Sequence, residues 1–163
     1  LHLFFQIIVY GYRIFFTKTF RKYKKVFDTV NRQINEDTMR HIFTFELLKQ
    51  KINPKKICII GDGKINGLLG AHLTFPDAKI YSCNLTEMLI NENLILNRTE
   101  LPLKNLIKVV GSIDEIDDDS YKLFLIPSNL KKFLLNKKID LFINIASFQE
   151  MTYSEVNNYF HII

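Results

Sequence analysis

A glycine-rich turn after an apolar run is the part of this sequence best suited to bind a small ligand. Residues 56–70 read KICIIGDGKINGLLG, so an apolar segment ends in Gly61-Asp62-Gly63 and a helical pattern follows. Glycines in such a turn let backbone amides approach a ligand, and the N-terminus of the next helix favours a negative group. The turn therefore predicts a ligand that carries a phosphate, a ribose or a carboxylate.

The spacing of these glycines departs from the dinucleotide-binding fingerprint. That pattern is G-x-G-x-x-G, followed about 20 positions later by an acidic residue that holds the ribose. Gly61 and Gly63 fit, but Asn66 stands in the third place and Gly67 comes one position late. Asn84 ends the next apolar run, where the acidic residue is expected. The turn alone does not identify a cofactor.

The turn belongs to a series of alternating strand-like and helical segments. The predicted strands are Ile57–Ile60, Lys79–Cys83, Leu106–Val110, Leu123–Ile126 and Asp140–Ile145. A helix over Lys64–Thr74 is predicted between the first and second strands. A second helix, from an N-cap at Thr86 to about Asn97, is predicted between the second and third strands. Apolar strands separated by helices predict an α/β fold with a parallel sheet covered on both faces.

Two helices are predicted before the sheet. Over Arg13–Ile34 the large apolar residues recur in steps of four and three, which is one helical stripe: Phe16, Phe20, Tyr23, Phe27, Val30 and Ile34. A second helix has Asn35 as N-cap, ends near Lys49 and carries the stripe Met39, Ile42, Phe43 and Leu47. Asn53-Pro54 then breaks the chain. This predicts a helical region over residues 1–52 and a Rossmann-like domain over residues 53–163.

Three segments of the second region resemble a known enzyme family when they are taken together. They are ICIIGDG at 57–63, YSCNLTE at 81–87 and DLFINIASFQEM at 140–151. In the last, a strand that ends in Asn144 and continues into SFQEM is similar to the fourth-strand motif of sugar O-methyltransferases, S-adenosylmethionine-dependent enzymes of the class I fold. The resemblance implies a partial Rossmann-like parallel sheet of the class I methyltransferase type, preceded by N-terminal helices, with its later strands beyond the end of this chain.

The resemblance also implies an activity. It is the transfer of a methyl group from S-adenosylmethionine to a hydroxyl of a sugar or glycan in surface polysaccharide or glycolipid synthesis, in the cytoplasm. The chain begins at Leu1 and ends inside a predicted apolar helix. We therefore expect it to be a piece of a longer protein, and whether this piece is active by itself is open.

The predicted cofactor-binding residues lie in the glycine turn or near the ends of strands: Gly61, Asp62, Gly63, Asn84, Glu87 and Asn144. Two of them have alternative roles. Asp62 can accept a hydrogen bond from the cofactor's ammonium group or cap the turn. Glu87 can replace the missing ribose-binding acid or interact with the dipole of its helix.

The reaction needs a sugar hydroxyl aligned with the methyl group and a base to take its proton. Glu150 is the carboxylate best placed by sequence, since it follows the carboxyl end of a strand, where ligands bind in open α/β sheets. The alternative for Glu150 is a structural hydrogen bond, and Gln149 is predicted to bind substrate. Asp117-Asp118-Asp119 lacks spaced partners, so no metal site is predicted.

Two other functions remain open. One is a nicotinamide-dependent oxidoreductase or nucleotide-sugar epimerase that uses the same glycine turn. Against it stand the missing acidic residue and the absence of a Tyr-x-x-x-Lys pair from the chain. The other is a non-catalytic Rossmann-like module that binds a partner or a membrane through residues 13–32.

The positive charge of the chain is concentrated in the predicted helix over Arg13–Ile34. The formal net charge is +5, and the basic face of this helix includes Arg13, Lys18, Arg21, Lys22, Lys24 and Lys25. The face is either solvated or in peripheral contact with an anionic membrane. Nucleic acid is not expected, because no aromatic residues interleave the basic ones.

Two further features bear on location. Cys58 and Cys83 lie in apolar runs and are predicted to be buried reduced thiols, which suits a cytoplasmic protein. The apolar segment Leu1–Tyr12 is shorter than the roughly 20 residues that span a bilayer, so we expect a core or interface segment.

Overall fold

A five-stranded parallel sheet forms the centre of the structure, a computed structural model that describes residues 2–101 and 105–163. Its strands are β1 (Lys56–Ile60), β2 (Lys79–Asn84), β3 (Ile107–Val109), β4 (Leu123–Pro127) and β5 (Leu141–Ile143). They lie in the order β3-β4-β2-β1-β5, and every neighbouring pair is parallel. The fold is therefore α/β and Rossmann-like, as predicted.

Helices precede the sheet and connect its strands. The α-helices are α1 (His2–Tyr10), α2 (Lys18–Thr29), α3 (Glu36–Leu48), α4 (Asn66–Thr74), α5 (Thr86–Arg98) and α6 (Tyr153–Phe160). Short 3₁₀ helices cover Tyr12–Phe16, Ile113–Asp117, Ser128–Asn136 and Ser147–Glu150. Within the described ranges no helix combines the length and the apolarity that crossing a bilayer requires.

Both faces of the sheet are buried, because successive residues of a strand point to opposite sides. In β1, Ile57 and Ile59 belong to the core that includes Leu68 of α4. Cys58 and Ile60 belong to the core on the opposite face. The continuous apolar runs that predicted this burial reflect packing on both sides. Cys58 and Cys83 are buried and free, as predicted.

The N-terminal helices pack on the sheet layer through α4. Tyr23 and Phe27 of α2 and Met39 of α3 form a buried cluster with Leu69 of α4. The Tyr23 hydroxyl donates to the carbonyl of Asn66 at 2.6 Å. The division at residues 52 and 53 stays a prediction.

The prediction of one continuous helix over Arg13–Ile34 is wrong. A 3₁₀ helix covers Tyr12–Phe16, and α2 begins only at Lys18. The break lies at Thr17, whose backbone is extended (φ −70°, ψ 154°) and whose hydroxyl accepts the N–H of Phe20 at 3.2 Å. A threonine that caps a helix in this way cannot also continue the preceding turn.

α2 also ends earlier than predicted, and the exposure of its side chains agrees only in part with the predicted stripe. The helix stops at Thr29, and Asn31 has the left-handed φ of 52°. Phe16, a member of the predicted apolar stripe, lies outside α2 and is 72% exposed. The four lysines of α2 are exposed, as predicted: Lys18, Lys22, Lys24 and Lys25.

Smaller differences have local causes. Asn35 caps α3 as predicted, but Phe43 and Leu47 of the predicted stripe are exposed. The next helix begins at Asn66 instead of Lys64, since Ile65 adopts a left-handed φ of 61°. Thr86 is the first residue of α5, whose N-cap is Leu85.

Other predicted boundaries shift by one or two residues. β1 begins one residue earlier than predicted, and β2 and β4 end one residue later. β3 is shorter by one residue at each end, and β5 lacks one predicted residue at its start and two at its end. The boundary of a strand depends on its neighbours' hydrogen bonds, which an apolar run does not specify.

We predict that Gly70→Ala destabilises the chain. A Cβ at Gly70 would collide with the Tyr23 hydroxyl and the Phe45 ring, both fully buried. Helix propensity alone would favour alanine by roughly 1 kcal/mol. The collision outweighs this gain, and we expect a net loss of about 2 kcal/mol in a urea unfolding experiment.

Gly63→Ala is the matched control, because a Cβ at Gly63 would meet only Met88 Sδ, at 3.7 Å. A Gly70→Ala variant as stable as the wild type would show that α2 and α3 do not pack on α4 as described.

Candidate functional site

The polar residues that end three neighbouring strands lie at one edge of the sheet. Ile60 of β1 is in register with Cys83 of β2, and Ile59 is in register with Ile143 of β5. Asn84, the last residue of β2, and Gly61 and Asn144, which follow β1 and β5, therefore lie together at the carboxyl edge of the sheet. This confirms the predicted placement of the three residues.

The order in which strands are added to the sheet switches sides at β1. From β1 the chain crosses to β2 on one side, while β5 adds to β1 on the other side. Ligands of open α/β sheets bind outside the carboxyl ends of strands at such a switch point. The glycine turn after β1 and the segment after β5 form the two sides of this crevice.

Gly61 is needed for packing between these two sides. Its φ is +73°, and a Cβ at this position would collide with the side chain of Ser147. The Ser147 hydroxyl donates to the carbonyl of Ile60 at 3.0 Å, which holds the segment after β5 against the turn. The space that a side chain at position 61 would fill is thus occupied by Ser147 of the protein itself.

Gly63 has the opposite character. Its φ lies outside the left-handed region, and the atom nearest to a Cβ there is Met88 Sδ at 3.7 Å. Gly63 therefore leaves open space that a ligand can approach.

Asp62 is buried below the turn. Its carboxylate accepts the backbone N–H of Leu68 at 2.7 Å, in the first turn of α4. Burial raises the pKa of Asp62, while His41 and the N–H groups of Leu68 and Gly67 act in the opposite direction. Of its two predicted roles, the observed contacts are those of a cap.

Asn84 is held from two sides. Its Oδ1 accepts the N–H of Leu85 at 2.9 Å, and its Nδ2 donates to Glu92 at 2.8 Å. Ser82 donates to the other carboxyl oxygen of Glu92 at 2.9 Å. Glu92 thus fixes the orientation of Asn84 at the rim of the crevice.

Glu92, which is 0% exposed, was not among the predicted site residues. Burial, followed by the nearby Asp62, raises its pKa to about 8, and the hydrogen bonds from Asn84 and Ser82 reduce the shift. A signal for it existed: Glu92 lies between Leu89 and Leu96 on the apolar stripe of α5, where a carboxylate is out of place.

Asn144 also has internal partners. Its Nδ2 donates to the carbonyl of Ile60 at 3.1 Å and to the Ser147 hydroxyl, and its Oδ1 accepts the N–H of Phe148 at 3.2 Å. Glu87, in contrast, is exposed on the first turn of α5 and lines neither of the two clefts at the edge.

The larger cleft at this edge has a volume of about 380 Å³. It lies between the glycine turn, the end of β2 and the segment after β5. Its wall includes Gly63, Asn84, Leu85, Met88, Met151 and Tyr159. The exposed apolar side chains of Leu85 and Met88 offer a surface for a flat ring, and the volume is in the range of small-molecule sites.

The smaller cleft, of about 270 Å³, is polar and reaches α3. Asp37, Arg40, His41, Lys64 and Gln149 contribute to its wall. Gly61, Gly63, Ser147 and Glu150 line both clefts. The exposed Glu150 and the glycine turn therefore separate an apolar space from a polar one.

His41 is a second site residue that was not predicted from the sequence. Its Nδ1 donates to the carbonyl of Asp37 at 2.9 Å, since a carbonyl can only accept. In the neutral ring Nε2 is then unprotonated and able to accept a proton. Nε2 has no hydrogen-bond partner among the described residues. In the same part of the chain the only fully buried side-chain N or O atom without a partner is Thr74 Oγ1, so Nε2 is not fully buried.

No group of three or more His, Cys, Asp or Glu side chains in the described part of the chain is arranged to hold a metal ion. Of the acidic run after Ile116, Asp118 accepts the N–H of Ser120 at 2.9 Å and Asp119 pairs with Lys79 at 2.7 Å. Asp118 and Asp119 are both exposed at the surface.

Comparison of the chain with models of known protein families, with curated protein sequences and with solved structures finds no match.

We predict that Glu92→Gln removes a pH-dependent loss of stability. A carboxyl whose pKa rises from 4.5 unfolded to about 8 folded binds more protons in the folded state. The wild type therefore loses stability as pH rises from about 4.5 through about 8. Glutamine keeps the shape and two hydrogen bonds. The free energy of unfolding of Glu92→Gln, relative to that of the wild type, should therefore increase by on the order of 1 kcal/mol or more between about pH 5 and about pH 9.

Glu87→Gln on the exposed face of the same helix is the control and should show no such trend. A constant difference between wild type and Glu92→Gln across this pH range would mean that Glu92 ionises in the folded state as it does in water.

Proposed function

We propose that this chain contributes to the transfer of a methyl group from S-adenosylmethionine to a sugar hydroxyl, in surface polysaccharide or glycolipid synthesis. The proposal combines the sequence resemblance over residues 57–63, 81–87 and 140–151 with one structural observation. These three segments meet at the carboxyl edge of the sheet, and Glu150 lines both clefts there.

The larger cleft suits the cofactor. Leu85 and Met88 would contact the adenine ring, Asn84 would face the ribose, and the open space beside Gly63 would admit the methionine part. When bound, S-adenosylmethionine would supply an electrophilic methyl group. The fit is weakest at the ribose, because both polar atoms of Asn84 already have partners and Glu92 is buried behind it.

The smaller cleft suits a sugar. Asp37, Arg40 and Gln149 combine donors and acceptors, which is the arrangement that recognises neighbouring hydroxyl groups. Two residues in this wall can take a proton from such a hydroxyl. Glu150 has an exposed carboxylate, and His41 has the free Nε2. We assign the base to Glu150, which lies where the two clefts meet.

We predict that Gly63→Val weakens the binding of adenosylhomocysteine by at least about tenfold in a calorimetric titration. The backbone at Gly63 needs no positive φ, so the variant should fold, and the branched side chain would enter the cleft. Gly63→Ala adds one carbon and should bind nearly as the wild type. If folded Gly63→Val binds adenosylhomocysteine as tightly as the wild type, the turn does not contact the cofactor. Tighter binding of NAD than of adenosylhomocysteine would favour the oxidoreductase or epimerase.

We predict that Glu150→Gln keeps adenosylhomocysteine binding but lowers methyl transfer by about a hundredfold, since it removes only the charge. Transfer is measured on the full-length protein with labelled S-adenosylmethionine and a panel of methyl glycosides. His41→Gln, measured beside it, should lower transfer less. The reverse order would move the base from Glu150 to His41.

A further inference from the structure

Among the side chains of α1 that the structure describes, from residue 5 onward, a polar one is buried and apolar ones are exposed. In α1, Gln6 is 7% exposed, whereas Phe5, Ile8 and Val9 are 56%, 63% and 62% exposed. These three apolar residues are spaced i, i+3 and i+4, so they lie on one face. A helix that faces water shows the opposite arrangement.

Two exposed aromatic side chains follow α1 in the chain. Tyr12 and Phe16, in the following 3₁₀ helix, are 59% and 72% exposed. On the inner side of this segment, Tyr10 packs on Phe43 of α3 with the ring centroids 5.8 Å apart. The segment is thus held to the protein by one side, which includes the buried Ile14, while Phe5, Ile8, Val9, Tyr12 and Phe16 are exposed.

Basic groups adjoin these apolar side chains. The Arg13 guanidinium lies over the Tyr12 ring, 5.9 Å from its centroid, and the Arg21 guanidinium donates to the carbonyl of Phe16 at 3.1 Å. Lys18, two residues after Phe16, is exposed. We call these eight residues the N-terminal surface: Phe5, Ile8, Val9, Tyr12, Arg13, Phe16, Lys18 and Arg21.

The N-terminal part of the chain has basic side chains but no acidic ones that could neutralise them. Residues 1–27 contain six Lys and Arg and no Asp or Glu. The first acidic residue, Asp28, pairs with Lys24 at 2.9 Å. A two-fold contact between copies would place like patches together and bring these charges into repulsion. An anionic partner avoids this cost.

We propose that the N-terminal surface docks the protein on a bilayer that contains anionic lipid. Exposed Phe, Ile, Val and Tyr side chains would enter the boundary between headgroups and acyl chains, and Arg13, Lys18 and Arg21 would contact lipid phosphates. A membrane accommodates both chemistries at once, since its apolar interior lies directly beneath a charged layer. The docking is peripheral and does not depend on the proposed methyl transfer.

The test is flotation of the full chain with phosphatidylcholine vesicles, with and without phosphatidylglycerol. The expected result is binding to the anionic vesicles that weakens as salt rises from about 0.05 M to about 0.5 M. Arg13→Gln with Lys18→Gln should lower the partition coefficient about tenfold or more at low salt and little at high salt. Ile8→Ser with Phe16→Ser should lower it about tenfold at every salt concentration.

Two double variants are matched controls. Ile90→Ser with Leu94→Ser removes apolar residues of similar exposure from α5, and Lys51→Gln with Lys132→Gln removes exposed charges elsewhere. Neither should change binding. The proposal is overturned if anionic vesicles do not bind, or if the controls weaken binding as much as the N-terminal variants. It is also overturned if only the charge variant has an effect, or if the wild type forms a dimer that Ile8→Ser with Phe16→Ser dissociates.

Discussion

The carbonyl oxygen of Ile60 is the point on which the candidate site depends. It is the last carbonyl of β1, and it accepts hydrogen bonds from Asn144 at 3.1 Å and from Ser147 at 3.0 Å. These bonds hold the segment after β5 over the glycine turn, at a distance that only a glycine at position 61 permits. Without them Glu150 would not lie between the two clefts.

Polar contacts, of which that between Tyr23 and Asn66 is buried, extend this arrangement to the N-terminal helices. The Asn66 side chain donates to the Asp37 carboxylate at 2.7 Å, and the Asn66 backbone carbonyl accepts from Tyr23. Asp37 in turn accepts from His41 through its backbone carbonyl. Since buried hydrogen-bonded groups are costly to separate, α2 and α3 are fixed relative to the turn. The polar cleft therefore has a wall that comes from outside the sheet.

Much of the fold follows from the sequence because β1, β4 and β5 are largely apolar runs and because Gly61, Asn84 and Asn144 mark the ends of β1, β2 and β5. The break at Thr17 within the predicted helix Arg13–Ile34 could not be predicted from spacing, because Phe16 continues the helical spacing although it lies outside α2. The site was predicted less completely. Glu92 and His41 lie on helices beside other polar residues, and their roles depend on contacts with Ser82 and Asn84 of β2 or with a backbone carbonyl, which residue spacing does not specify. Asn84 and Asn144 were placed correctly at the edge, but their internal partners could not be read from spacing.

The central claim is that the apolar cleft beside Gly63 receives the adenosyl group of a cofactor. It is tested most directly by the backbone amide NMR shifts of the labelled chain during titration with adenosylhomocysteine. We expect the largest changes at Gly61, Gly63, Leu85 and Met88, with α1 and α2 unaffected. Changes confined to other surfaces, or none at about 1 mM ligand, would contradict the claim.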